Sequence, residues 1–339
     1  MPVSLRVRNN QLFVVSFLLS ETNFTEPFFL DSLSRRFKIA TVNESLVQEQ
    51  QTLVRPLHYD KKDPRIVYTP LSEFIKKHRR QKKPNIENLR FIFHMSRCGS
   101  TLITQMLATS RRFFVISESP FINDILDPAL KLPKKIDRDL LIKAALHAIL
   151  DCKPKKAKYS VIKFRSWNTL YLERILKQFP TTSWVFVHRN GLEVLSSVLR
   201  NPPGWLRSRK NYEKLFRPFL ELKNAEKIER LGVDEFTIRM LGTFCKIAAS
   251  TKSGFGSFID YKKILPYFPD TVERIWNLKL PTKEKSIMLK RAKTYSKDPD
   301  KLKKFVGDGK IKRRMITERQ RKLTSHFVET QRSRLIIKS

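Results

Sequence analysis

Acidic side chains are scarce in this chain. Thirty-two aspartates and glutamates stand against sixty-eight lysines and arginines, a formal charge of +36. A field of that sign attracts polyanions: nucleotides, nucleic acid, anionic lipid head groups or acidic glycans. A proteome-wide bias toward Lys and Arg would produce the same balance, and net charge says nothing of the fold. Cysteine is scarcer still. Cys98, Cys152 and Cys245 lie far apart, so there is no CxxC pair or Cys/His cluster for zinc, and an odd count argues against a disulfide framework. A reducing compartment fits that usage. No apolar run reaches the length of a membrane-spanning helix. Residues 11–19 (QLFVVSFLL) follow Arg6 and Arg8, as in a signal peptide. The run is short, however, and Ser20-Glu21-Thr22-Asn23 offers no small-x-small cleavage site. It reads as a β-strand, and a soluble, cytoplasmic protein is expected. Internal repeats and low-complexity segments are also missing.

What is present is enough apolar residue for one large buried core: 41% of 339 residues are hydrophobic, ample for an α/β domain with appendages. Residues 1–87 read as an N-terminal extension. It holds a strand near Leu12–Leu19 and a loop-rich stretch punctuated by Pro56, Pro64 and Pro70. It ends in the basic run His78–Pro84, a pattern usually solvated.

From Asn88 the texture changes. Short apolar runs at 89–94, 113–116, 159–164 and 184–188 alternate with helical spacing at 102–107, 138–150, 168–178 and 192–199. Residues 255–260 form a fifth candidate strand, and 211–252 are nearly all helical in pattern. Buried strands that alternate with helices predict a central, mostly parallel sheet in a three-layer α/β sandwich of P-loop type. Residues 88–278 form that core, and 279–339 a basic helical C-terminal region packed on it.

The first strand runs into the turn Ser96-Arg97-Cys98-Gly99-Ser100-Thr101, followed by a helix. Strand, tight turn and helix bind phosphate, because turn N–H groups and the helix N-terminus converge on an anion. Gly99 permits close backbone approach, Arg97 supplies a charged fork, and Ser100 and Thr101 supply hydroxyl donors. A small packing role suits Cys98 better than a nucleophilic one. The kinase and ATPase version needs Gly-Lys-Ser/Thr. Here Ser100 follows Gly99 directly, and the strand ending at His188 lacks the aspartate that would hold magnesium. Nucleoside-triphosphate hydrolysis is therefore disfavoured, and no metal is expected.

The run Phe91–Leu102 resembles the 5′-phosphosulfate loop of the sulfotransferase superfamily. Ser96 stands where that family has proline, Cys98 where it has serine, and Ser100 where it has threonine. A second stretch agrees in order and spacing. Arg189 closes the strand Trp184–His188 and Ser197 lies eight positions on, with Gly191 in place of the family's proline. The resemblance covers roughly residues 88 to 265. The Gly-rich loop that closes over the 3′-phosphate in cytosolic members has only a weak counterpart at Phe305–Lys310.

That resemblance implies a sulfotransferase using 3′-phosphoadenosine 5′-phosphosulfate as co-substrate. Arg97, Cys98, Gly99, Ser100 and Thr101 would take the 5′-phosphosulfate, and Arg189 and Ser197 the 3′-phosphate. Arg97 would also stabilise the leaving phosphate. Glu118, at the end of the second strand, is the candidate general base, in competition with a purely surface role. His94 and His188 are runners-up. Lys163, ending the third strand, is the candidate aid to the bridging oxygen, and Trp167 or Trp205 to adenine. The acceptor stays unnamed; the charge suits an acidic one. The competing function is a catalytically inactive nucleotide-binding protein, or one that binds polyanions or nucleic acid, on the same fold. A nucleic-acid partner is the less favoured reading, since no helix-turn-helix, zinc-finger or RNP text is visible.

Overall fold

The structure, a computed structural model, describes residues 1–8, 11–17, 66–80, 86–127, 130–207, 209, 213–220, 222, 227–252, 255–264, 267–294 and 309–337. Five strands form the central sheet: β4 (Leu89–His94), β5 (Phe113–Ser117), β6 (Tyr159–Lys163), β7 (Ser183–His188) and β8 (Gly256–Asp260). Their order is β5-β6-β4-β7-β8. The sheet is parallel and flanked by helices, as the alternating pattern predicted. Phe113 pairs with Tyr159 along β5 and β6, and Trp184 with Gly256 along β7 and β8. Every residue of β4, β5 and β6 is buried, the signature of parallel strands covered on both faces.

The order places β4 at a switch point. From β4 the chain moves to β5 and β6 on one side, then crosses to β7 and β8 on the other. Open α/β sheets bind ligands at the carboxyl ends of strands beside such a point.

By contacts the chain divides into two compact units. The first comprises Met1–Arg90, Ser110–Lys163 and Glu173–Thr182. Within it, β1 (Pro2–Arg8), β2 (Gln11–Phe17) and β3 (Ile66–Pro70) form an antiparallel sheet in the order β1-β2-β3. The Leu5 N–H donates to the buried Asp124 carboxylate at 3.0 Å, which ties β1 to the helix Pro120–Leu126.

The sequence reading needs correction here. Residues 66–80, expected as loop and solvated basic run, are β3 and the helix Leu71–Arg80. Leu71, Phe74, Ile75 and His78 recur at helical spacing and are buried. His78 packs on Phe74 and faces Asp151 at 3.3 Å. The rest of that run, 81–84, lies outside the described residues, as do Leu18 and Leu19 of the expected N-terminal strand and Pro56 and Pro64.

The second unit comprises Phe91–Thr109, Phe164–Leu172 and Ser183–Ser339. Its core is aromatic: Phe93 stacks on Phe164 at 4.5 Å and meets Trp184 edge-on at 6.3 Å. Such pairs contribute about 0.5–1.5 kcal/mol each beyond their buried area. Among its described residues, the region 211–252, expected to be nearly all helix, holds the short helices Glu213–Phe216, Arg217–Phe219 and Ile228–Arg230 and the long helix Val233–Ser250. The C-terminal run is continuous: helix Glu318–Thr324, a π-helical turn Ser325–Glu329, and helix Thr330–Ile337. Part of its basic charge is paired with acidic residues of the same chain. Arg313 pairs with Glu193, Arg319 with Asp234 and Glu235, and Arg332 with Asp260 and Glu329.

Among the described residues, no helix is long and apolar enough to cross a membrane. None of the three cysteines is in a disulfide. Cys98 and Cys245 are fully buried, and burial pushes the Cys245 thiol up.

Candidate functional site

The turn after β4 lies at the switch point. Ser96 (φ 80°), Arg97 (φ 45°) and Gly99 (φ 88°) are all left-handed. Left-handed residues in a tight turn aim successive N–H groups into one concavity, an arrangement that suits anions. Proline fixes φ near −65°, so the family's proline cannot occupy position 96 in this backbone. The departure to Ser96 is therefore a real change in how the loop is entered. His94 braces it: its buried Nδ1 accepts from the Ser96 N–H at 3.1 Å. That nitrogen is an acceptor inside the loop, which counts against His94 as a base for an acceptor.

Cys98 has the packing role. Its fully buried Sγ donates to the Val187 carbonyl at 3.1 Å, and the Met95 N–H reaches the same oxygen at 3.2 Å. These bonds join the loop to the end of β7. Gly99 is the N-cap of the helix Ser100–Leu107, so no side chain caps that helix, and its first turn holds no acid. The first-turn N–H groups of a helix have no intrahelical partner. The half-buried Thr101 and buried Ser100 stand in that turn. The Arg97 guanidinium, half-buried, donates to the Asn201 carbonyl.

Arg189 follows β7, as the spacing predicted. Its N–H donates to Met95 Sδ at 3.2 Å, and its Nε to Glu193 at 2.7 Å. Glu193 also takes Arg313, so one buried carboxylate holds two guanidiniums. Ser197, half-buried, is on the helix Gly191–Arg200 one turn beyond Glu193, on the same face.

Two partners had no signal in the sequence. Tyr261, in the turn after β8, packs its ring against Gly99 so closely that a Cβ there would sit 2.7 Å from Cδ2. The Arg189 guanidinium lies over the same ring, 4.1 Å from its centroid. Tyr261 thus joins the loop to the arginine, a favourable cation–π geometry. The second is Glu329, which accepts from the Gly191 N–H at 2.6 Å. Proline lacks that N–H and could not make this bond, and a Cβ at 191 would sit 2.8 Å from Thr324 Cγ2.

The other histidine and the tryptophans serve the interior. His188 is fully buried, and burial, opposed by Asp260, lowers its pKa to about 4. It is neutral near pH 7 and has no solvent access. Trp205 is buried, donates to Ser166 Oγ at 3.1 Å and packs on Phe236 and Phe244. Trp167 is half-buried against Tyr171.

Glu118 and Lys163 belong to the first unit, and the structure brings them together there. Lys163 is buried and its Nζ meets the Glu118 carboxylate, which is partly exposed. Lys163 is the register partner of Ser117, and its carbonyl accepts from the Glu118 N–H at 2.7 Å. Glu118 itself is left-handed, with φ 57°. A non-glycine residue in that region is uncommon and clusters at functional positions.

Three solved structures are similar in chain path. One is the sulfotransferase STF9 from Mycobacterium avium, at TM-score 0.46 and 13% identity over 77% of this chain and 81% of that one. Another is the sulfotransferase domain of the Synechococcus PCC 7002 olefin synthase, at 0.45 and 15%, over 74% and 97%. The third is retinol dehydratase in complex with androsterone and inactive cofactor PAP, at 0.38 and 15%, over 78% and 86%. No family model and no curated protein matches. With TM-scores below 0.5, these likenesses say nothing of what this chain does, which has to be read from its own residues.

Those residues fit a bound phosphate. The loop offers an uncapped helix N-terminus, left-handed turn residues and an arginine, and Arg189 lies over the ring of Tyr261 that also touches Gly99. No cluster of three or more His, Cys, Asp or Glu side chains suited to a metal occurs among the described residues.

Proposed function

We propose that this chain is a sulfotransferase, moving the sulfuryl group of 3′-phosphoadenosine 5′-phosphosulfate to an acceptor hydroxyl. The observation that carries the reading is Tyr261, which joins the Gly99 loop to Arg189. It supports one ligand with two phosphates, one for each end. Loop N–H groups, Arg97, Ser100 and Thr101 would take the 5′ end, and Arg189 with Ser197 the 3′-phosphate.

The acceptor oxygen bonds to sulfur, and the bond from sulfur to the 5′-phosphate oxygen breaks with its electron pair left on the phosphate. Fixed donors that meet this growing charge lower the barrier. The arginines and backbone N–H groups do so here without a required metal. To Glu118 we assign the acceptor's proton, since an ionised carboxylate is a proton acceptor at neutral pH. Lys163, held by that carboxylate, is assigned to the bridging oxygen. An acidic acceptor suits the formal +36 charge.

Calorimetry tests the reading. 3′-Phosphoadenosine 5′-phosphate is titrated into the chain at moderate salt, with adenosine 5′-phosphate as the control lacking the 3′-phosphate. Binding that needs the 3′-phosphate and is lost in Arg97→Ala and Arg189→Ala is expected. Binding indifferent to the 3′-phosphate, and abolished by salt, would leave a polyanion-binding protein instead. Nucleotide binding with no transfer to any hydroxyl acceptor would leave an inactive nucleotide-binding protein.

A further inference from the structure

The C-terminal run ends its approach to the site on two charged side chains that the mechanism above does not use. Its π-helical turn lies against the helix Val233–Ser250, where a Cβ added to Gly242 would fall on the Phe327 carbonyl oxygen. On the side facing Gly191, a Cβ would sit 2.8 Å from Thr324 Cγ2 and 2.9 Å from Val328 Cγ1. Thr324, Val328 and Leu335 are fully buried. The Phe327 backbone at Gly242 and the Thr324 and Val328 side chains at Gly191 thus seat the run closely against both helices.

That seating sets Glu329 at the start of the helix Gly191–Arg200. Its Oε1 accepts from the Gly191 N–H at 2.6 Å, and its Oε2 from Arg332 Nε at 2.7 Å. Arg332 continues the chain, donating through a second nitrogen to Asp260 Oδ2 at 3.0 Å. Asp260 Oδ1 accepts from the Lys262 N–H at 2.9 Å, which shapes the turn that carries Tyr261. Glu193 holds the Arg189 guanidinium directly; one further carboxylate and one guanidinium grip the backbone and the turn on either side of it. Glu329 fixes the 190–191 peptide next to it, and Arg332 fixes the residue next to the ring beneath it.

A carboxylate at a helix N-terminus is favourable, and a charge-assisted bond to an N–H is short and directional. A bare carboxylate so near a phosphate site would repel the ligand. Arg332 neutralises it, so the order of geometry is kept without the penalty of like charge.

We infer that Glu329, held by Arg332, is a positioning residue that sets Arg189 for the 3′-phosphate of the donor. This rests on the sulfotransferase reading of the same site. Glu329 does not touch the ligand; it acts through Arg189. Its effect is therefore confined to the 3′-phosphate, whereas a merely structural residue would weaken every nucleotide alike or none.

The test compares wild type, Glu329→Ala, Glu329→Gln and Arg332→Leu by calorimetry with 3′-phosphoadenosine 5′-phosphate and adenosine 5′-phosphate, with thermal unfolding recorded alongside. Glu329→Ala and Arg332→Leu are expected to weaken the 3′-phosphorylated ligand about tenfold, the scale on which supporting partners of a bound group act. Affinity for adenosine 5′-phosphate stays near wild type. Glu329→Gln keeps an oxygen for the Gly191 N–H and restores most of the preference. If wild type discriminates and Glu329→Ala discriminates equally well, or loses both ligands in proportion, positioning by Glu329 is overturned while the donor site stands. If wild type binds both nucleotides alike, the donor-site reading falls, and this inference with it.

Discussion

Arg189 lies 4.1 Å above the ring of Tyr261, and the same ring closes on Gly99. The loop after β4 and the arginine after β7 are thereby held by one side chain from the turn after β8. Gly99 has φ 88°, and a Cβ there would meet Tyr261 Cδ2 at 2.7 Å. Gly99→Ala therefore combines backbone strain with a ring displacement. It is expected to lower stability by about 1–3 kcal/mol, read from urea unfolding, and to weaken nucleotide binding more than a surface Gly→Ala change would.

Glu118→Gln tests the base. The amide keeps an oxygen for Lys163 but cannot take a proton at neutral pH. Turnover of an identified acceptor is expected to fall by about 10²–10⁴-fold, with nucleotide affinity unchanged. A variant that turns over at the wild-type rate would remove Glu118 from the chemistry.

His188 makes stability depend on pH. Its folded pKa, about 4, lies below the ordinary 6.5 because the ring is buried. The unfolded chain thus binds the proton more readily than the folded one. Stability from this residue is complete above pH 6.5 and is lost as pH falls toward 4, by on the order of 3 kcal/mol. Neither ring nitrogen has a hydrogen-bond partner among the described residues, so His188→Phe is expected to fold and to flatten this slope in unfolding curves between pH 7 and 4.

Gly242→Ala separates packing from chemistry. The added methyl meets the backbone of Phe327, which cannot swing aside as a side chain can. A loss of roughly 1–3 kcal/mol is expected, measured by thermal unfolding. Wild-type stability in this variant would contradict the close seating of the C-terminal run.

Much of the sheet was legible. Apolar runs placed β4 to β8 within a residue or two, because buried parallel strands read as unbroken hydrophobic text. Arg189 after a strand and Ser197 on the helix after it were singled out by the resemblance, and the structure has them at those places in the fold. The strand and helix at 66–80 were missed, since prolines and a basic run masked the periodicity of Leu71, Phe74, Ile75 and His78. Tyr261 and Glu329 were missed for a different reason. Their partners, Gly99 and Gly191, lie far off along the chain, 138 residues in the second case. No periodic pattern records a contact of that kind.

By itself the sequence determined the strand–turn–helix units and the tight turn at 96–101, because these depend on neighbours within about ten positions. Only the tertiary structure decided that Tyr261 touches both Gly99 and Arg189, that Lys163 is buried against Glu118, and that basic residues of the C-terminal run face Glu193, Glu329 and Asp260. Hydrophobic periodicity sets local conformation. Which distant charges meet depends on how the folded elements bury one another's surfaces.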